Sequence, residues 1–304
     1  MGLLSGSVSV SRFNVVKLPR TVDFNKAVFQ EIEPGSQVRE SRGFVPLDVD
    51  ESYEAGTKRW AFRVRMDRLR ADPTLLRERF RELAFAELEA GARFLSAKRR
   101  REIREQAEEE LTSQTLPASR ILEGCLDGSI LYVASTAMAH LGIVTELLRK
   151  IGVHVEPKAP WIDRGDTERS STSPLIADLQ PGQSVLGCRL LRELLGDSEV
   201  SIAEDNGFAR IRTLETKITL AGSILHEIMH YVELDSEILA ANMTAGDVTF
   251  RFDALSYRLS NLKIESSKHE HWTERLDERL ERIAAVFDLL DRKFIELGVD
   301  SLSF

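Results

Sequence analysis

Residues 72–117, DPTLLRERFRELAFAELEAGARFLSAKRRREIREQAEEELTSQTLP, decide the architecture of the chain. Asp72 offers a side-chain acceptor just ahead of Pro73, whose fixed φ and missing N–H suit a first helical turn, so a helix is expected to start there. Gly91 breaks the pattern, and Ser96 is placed to cap a second helix, AKRRREIREQAEEEL. Pro117 ends the pair. These helices make an arm at about 72–116, set into a chain whose other segments largely read as strands. The fold class that follows is α+β: two α/β domains with mostly antiparallel sheets and a projecting helical arm.

Working outward, Val8, Val10, Phe13 and Val15 fall among polar residues and predict a strand near 8–17. A short helix near 21–31, a turn at Pro34-Gly35, an extended piece at 43–46 and a strand at 59–65 follow. Beyond the arm come a strand at 129–135, a helix at 136–151 ending at Gly152, and a strand near 153–156. Residues 163–184 are rich in Ser, Thr, Asp, Gly and Pro and are expected to link a domain at 1–162 to one at 185–304. The second domain is expected to hold a helix at 185–195, strands near 199–203 and 208–214, and a helix at 220–233. Strands at 237–243, 247–253 and 256–264 come next, with Gly246 turning the first hairpin. The last helix, about 270–298, carries Leu276, Leu280, Ile283, Phe287, Leu290, Phe294 and Leu297 at spacings of four and three. That seam either packs on its own sheet or joins two subunits.

The 304 residues are enough for two cores, and their net charge is −8. An acidic chain does not hold nucleic acid by bulk charge, so any such contact has to come from a local patch. Cys125 and Cys188 lie far apart and form no metal or redox spacing, as in a reducing compartment. MGLLSGSVSV lacks a basic leader region, and no apolar run has the length of a membrane span, so a cytoplasmic protein is expected. No phosphate-binding or nucleophile-elbow motif occurs, and no cofactor is expected.

Three constellations carry possible chemistry. Lys98, Arg99, Arg100, Arg101 and Arg104 open a helix whose far end holds Glu108, Glu109 and Glu110. Both placements oppose the helix macrodipole, so helix stability does not explain them, whereas guanidinium groups on one turn suit phosphate oxygens. Secondly, His226-Glu227-Ile228-Met229-His230 is an H-E-x-x-H sequence. On a helix it would set His226 and His230 on one face as zinc ligands, with Glu227 as general base and Glu265, His269 or His271 as third ligand. That pattern defines a rival reading, a zinc-dependent hydrolase. Thirdly, Asp205 with Glu215-x-Lys217 on a strand is loosely similar to a metal-dependent nuclease arrangement.

Several of these segments, in their order, resemble the RdgC family of recombination-associated proteins. Pro34-Gly35-Ser36-Gln37 with Gly43-Phe44-Val45-Pro46 is similar to the family's G-S and G-W-V-P-P pattern. Residues 94–117 resemble its K/R-rich helix ending in E-x-x-x-L-L-P-R-A-F, continuing into SILYVAS and Leu147-Leu148-Arg149-Lys150. The stretch from Glu227-Ile228 to Leu262-Lys263-Ile264 is similar to its C-terminal block. The chain departs from the pattern at Ala118-Ser119-Arg120, where the family has R-A-F and an aromatic subunit contact. The resemblance implies a nucleoid-associated, non-enzymatic protein. It would be a ring-shaped homodimer that encircles double-stranded DNA without sequence preference and restrains RecA-type strand exchange indirectly, through the DNA. It also implies that Lys98 to Arg104 face DNA, that Arg120, Arg210 and Arg212 contact its backbone, and that His226 holds no metal.

Overall fold

The computed structural model of the protein describes residues 2–33, 36, 38–48, 52–91, 93–163, 173–176, 178–203, 206–265, 269 and 271–299. Among them the chain is α+β, with a large antiparallel sheet and seven α-helices. The strands are β1 (Val8–Lys17), β2 (Glu40–Pro46), β3 (Glu54–Gly56), β4 (Arg59–Arg68), β5 (Ala118–Asp127), β6 (Ile130–Val133) and β7 (His154–Pro157). They continue with β8 (Val200–Ile202), β9 (Gly207–Arg212), β10 (Lys217–Gly222), β11 (Glu237–Ala245), β12 (Val248–Asp253) and β13 (Arg258–Lys263). The helices are α1 (Pro73–Glu89), α2 (Ala97–Gln114), α3 (Met138–Lys150), α4 (Pro160–Asp163), α5 (Leu186–Glu193), α6 (Leu225–Glu233) and α7 (Trp272–Glu296). None of these helices is long and apolar enough to cross a membrane.

The chain forms two compact units: Met1–Asp23 with Pro46–Phe62 and Leu122–Phe304, and Phe24–Val45 with Arg63–Ile121. This division differs from the expected one at 163–184, of which residues 164–172 and 177 lie outside the described set. The reason is strand pairing. Val8 lies opposite Leu262 and Val10 opposite Leu259, so β1 and β13 put both sides of the expected linker into one sheet.

In the first unit the strand order is β10-β9-β11-β12-β13-β1-β6-β5, with β7 on β1 and β8 on β11. Alternation along β12 buries Val248, Phe250 and Phe252 while the intervening residues stay half-exposed. Helix α7 supplies Leu276, Leu280, Ile283, Phe287, Leu290 and Phe294 to the same core. Each such side chain, fully buried, contributes about 1.5–3 kcal/mol, and the seam packs into the core of its own unit. Arg12 on β1 ties the layers together: its Nη2 donates to both Asp291 carboxylate oxygens at 2.9 and 2.7 Å, and its guanidinium stacks 4.5 Å from the Phe287 ring.

Three expectations about elements are corrected. The segment near 21–31 makes only a 3-10 turn, Phe24–Ala27. Phe24 packs edge-on to Phe44 at 5.1 Å, and the Phe29 amide donates to the Phe44 carbonyl, drawing the chain out straight. Strand β5 was not expected, because Gly124, Cys125 and Leu126 are buried in succession and show no period of two. Gly124 is packed so closely that a Cβ there would lie 2.5 Å from the Phe62 ring. The helix expected over 220–233 starts only at Leu225, since residues up to Gly222 pair with β9. The turn at Pro34-Gly35 lies outside the described residues.

Candidate nucleic-acid interface

The second unit is built around α1 and α2. Asp72 caps α1 by accepting from the amides of Thr74 at 2.8 Å and Leu75 at 3.0 Å, and Ser96 caps α2 by accepting from Arg99 N at 3.2 Å. Gly91, at φ +107°, lets the chain reverse between them. Arg79 pairs with Glu110 at 2.8 Å and Arg99 with Glu87 at 2.7 Å, so the helices run antiparallel. Ile103 and Ala107 are the buried anchors of α2, and Thr112 accepts from Arg39 Nη1 at 2.7 Å.

The inverted charge order of α2 is partly answered within the hairpin. Arg99 pairs with both Glu87 and Glu102, Arg101 with Glu105 at 2.8 Å, and Lys98 approaches Glu102 at 4.0 Å. Hydrogen bonds that Arg99 donates to the Glu87 and Glu102 carboxylates raise its pKa, and donation to the Glu105 carboxylate does the same at Arg101. Arg100 and Arg104 differ: among the described residues they have no carboxylate partner. They share a turn of α2 and line one cleft of about 690 Å³ together with Arg101. Arg70 and Arg77 face the same cleft from the start of α1, likewise without a carboxylate. Pro73, Leu76 and Phe80 form its apolar wall, and Glu108 is its one acidic lining residue.

Five guanidinium groups converging on one cleft repel each other, and among the described residues four of them have no ion-pair partner, with Glu108 the one acid lining the cleft. Guanidinium is the side chain best matched to phosphate oxygens, through its planar fork of donors. The helices fix the spacing, because Pro73, Leu76, Arg77 and Phe80 recur at three and four along one face of α1. Arg70 and Arg77 were not picked out from the sequence. The available signal was Arg77 sharing a helical stripe with Leu76 and Phe80, but only closure of the hairpin shows which stripe meets α2.

The remaining candidates are scattered. Arg120 is exposed near the start of β5, in the second unit. Arg210 and Arg212 lie on β9 in the first unit. Arg210 is exposed, whereas Arg212 is half-buried and its Nε donates to the Leu175 carbonyl at 3.2 Å.

Helix α6 does carry His226, Glu227 and His230 on its exposed side while Ile228 is buried. The proposed third ligands are engaged elsewhere or isolated. His269 contacts Glu278 at 2.8 Å, and His271 caps α7, accepting from Thr273 N at 3.3 Å. Glu265 is exposed past the end of β13. Among the described residues no three His, Cys, Asp or Glu side chains come together in a metal-holding group. Among the described residues the H-E-x-x-H sequence therefore has no third ligand of the kind a zinc hydrolase needs. For the nuclease arrangement, Asp205 lies outside the described residues, and Glu215 sits in the β9–β10 turn instead of on a strand.

The cleft between α1 and α2 thus gathers four arginines that have no carboxylate partner among the described residues. Compared with known proteins, the chain matches no family model, and no curated protein matches it.

Proposed function

We propose that the protein binds the phosphate backbone of double-stranded DNA without sequence preference, through the arginine cleft of α1 and α2. The observation that carries this reading is the convergence of Arg70, Arg77, Arg100 and Arg104, with no carboxylate partner among the described residues, in a chain of net charge −8. Such a cluster is costly in the free protein and is relieved by a polyanion. Its members reach phosphates and not a defined base edge, so affinity is independent of sequence. The resemblance to the RdgC family extends the reading to a nucleoid-associated homodimer, ring-shaped around the duplex, that restrains RecA-type strand exchange by occupying the DNA. On this reading the chain is a binding protein and not an enzyme, with Arg99 joining α2 to α1 through Glu87 while Lys98 and Arg101 pair with carboxylates of α2 itself.

The test is the double variant Arg100→Ala/Arg104→Ala. Each phosphate contact adds about 0.9 to the slope of log affinity against log salt, so losing two flattens it by about 1.8. Fluorescence anisotropy with a duplex reads that slope, and an unchanged slope would remove the cleft from the interface.

A further inference from the structure

The outer face of the first unit's sheet carries a second cluster of cations. Alternation puts Phe208, Arg210 and Arg212 on one face of β9, opposite the buried Ala209 and Ile211. The register then sets Asn242 of β11 opposite Arg251 of β12, and Thr219 of β10 opposite Arg210. Arg251 is built into this face. Its guanidinium lies 3.5 Å from the centroid of the Phe208 ring, and its Nε donates to Asn242 Oδ1 at 2.9 Å. Asn242 is itself held, donating from Nδ2 to the Asn206 carbonyl at 2.8 Å. The stack and the hydrogen bond use one face and one N–H of the guanidinium, leaving its two terminal nitrogens available.

Arg210 stands close enough that its charge adds to burial in lowering the Arg251 pKa. Among the described residues neither arginine has a carboxylate partner. The acids nearest by register face other cations: Asp253 lies opposite Arg258, and Glu237 opposite Arg212. Arg251 is thus held by an aromatic platform and an amide beside the like charge of Arg210, an arrangement that favours an anion bridging the two.

We propose that Arg210 and Arg251 form a second phosphate-binding site, positioned by Phe208 and Asn242, whose occupant is a backbone phosphate of nucleic acid. The choice of nucleic acid rests on the function proposed above; the phosphate site itself rests on the sheet geometry. Charge complementarity selects the occupant, because Arg210 and Arg251 present donors to it and, among the described residues, no carboxylate partner. Arg251, and not Arg212, is then the partner of Arg210.

The experiment compares the full chain with Arg210→Gln/Arg251→Gln and with Arg251→Lys, after thermal melts show that each variant folds. Two readouts are taken: anisotropy of a labelled duplex across salt, and the Arg Nε–H signals during titration with pyrophosphate. The proposal expects the double variant to flatten the salt slope by about 1.8, additively with changes in the cleft. Arg251→Lys keeps the charge but loses the fork and the stack, so it should recover only part of the affinity. Pyrophosphate should move the Arg210 and Arg251 signals together. A parental slope in the double variant, with a parent that binds duplex, overturns the proposal even if pyrophosphate binds. A parent that does not bind duplex overturns the function proposed above; the sheet site then stands if pyrophosphate moves both signals and falls if it moves neither.

Discussion

Replacing Arg279 by Met removes a guanidinium that the first unit uses as an internal tie. Arg279 is 1% exposed and donates to four backbone carbonyls: Nε to Leu3 at 2.6 Å, Nη1 to Ile264 at 3.2 Å, and Nη2 to Gly2 at 3.3 Å and Gly6 at 2.7 Å. It thereby fastens residues 2–6 to α7, and the Leu3 amide completes the attachment by donating to Glu123 at 2.6 Å. Each of these bonds contributes about 1 kcal/mol net, and a buried carbonyl left without a donor costs about as much again or more. Methionine returns part of this by filling the space with apolar volume. The expected loss is roughly 3–5 kcal/mol of unfolding free energy. Urea denaturation should show a lower midpoint with an unchanged slope, as for a change in the native state alone. Arg279→Lys, with three donors on one point, should lie between the two. A loss below about 1 kcal/mol for Arg279→Met would refute the idea that the guanidinium organises this segment.

Other predictions follow from the same contacts. Arg99→Ala should lower the melting temperature slightly, through loss of Glu87 and Glu102, while leaving the salt slope of DNA binding at its parental value. A slope flattened by about 0.9 would instead make Arg99 a phosphate contact. Gly187→Ala should destabilise strongly, because a Cβ there would lie 1.8 Å from the Ala254 carbonyl oxygen; a melt equal to the parent's would contradict that close approach. Burial alone would raise the Asp197 carboxyl, but Lys293 Nζ at 2.7 Å and the amides of Glu199 and Val200 outweigh it and hold it below its ordinary value. A depressed folded value stabilises above the unfolded pKa and is lost as pH falls through the folded one. Melting temperatures taken from neutral pH downward should therefore fall less steeply on the acid side in Asp197→Asn than in the parent.

The parts of the fold that were legible are those fixed by near neighbours in the chain. Asp72 before Pro73, and Ser96 before AKRRRE, are local caps, and both helices start where these residues place them. The α7 seam was visible as a spacing, but the choice between core and subunit contact depends on Phe250, Phe252 and Tyr257, which lie on other elements. Strand β5 was hidden because burial on both faces erases alternation. The expected linker failed as a boundary because pairing of β1 with β13 is a long-range choice that composition does not express.

The candidate site shows the same limit. The run 98–104 announced a basic helix start, but not that Glu87 and Glu105 would occupy Arg99 and Arg101 while leaving Arg100 and Arg104 open to the cleft. Arg70 and Arg77 join them only after the hairpin closes. The Arg212 bond to the Leu175 carbonyl is non-local in the same way, as is the placing of Arg251 by Phe208 and Asn242.

The most direct measurement of the central claim is the affinity of the unmodified chain for two duplexes of equal length and unrelated sequence, each followed across a range of salt. The account predicts equal affinities for the two and a slope of several units, because at least four cleft arginines exchange counterions for phosphates. No binding at low salt, a slope near zero, or a marked preference for one sequence would contradict it.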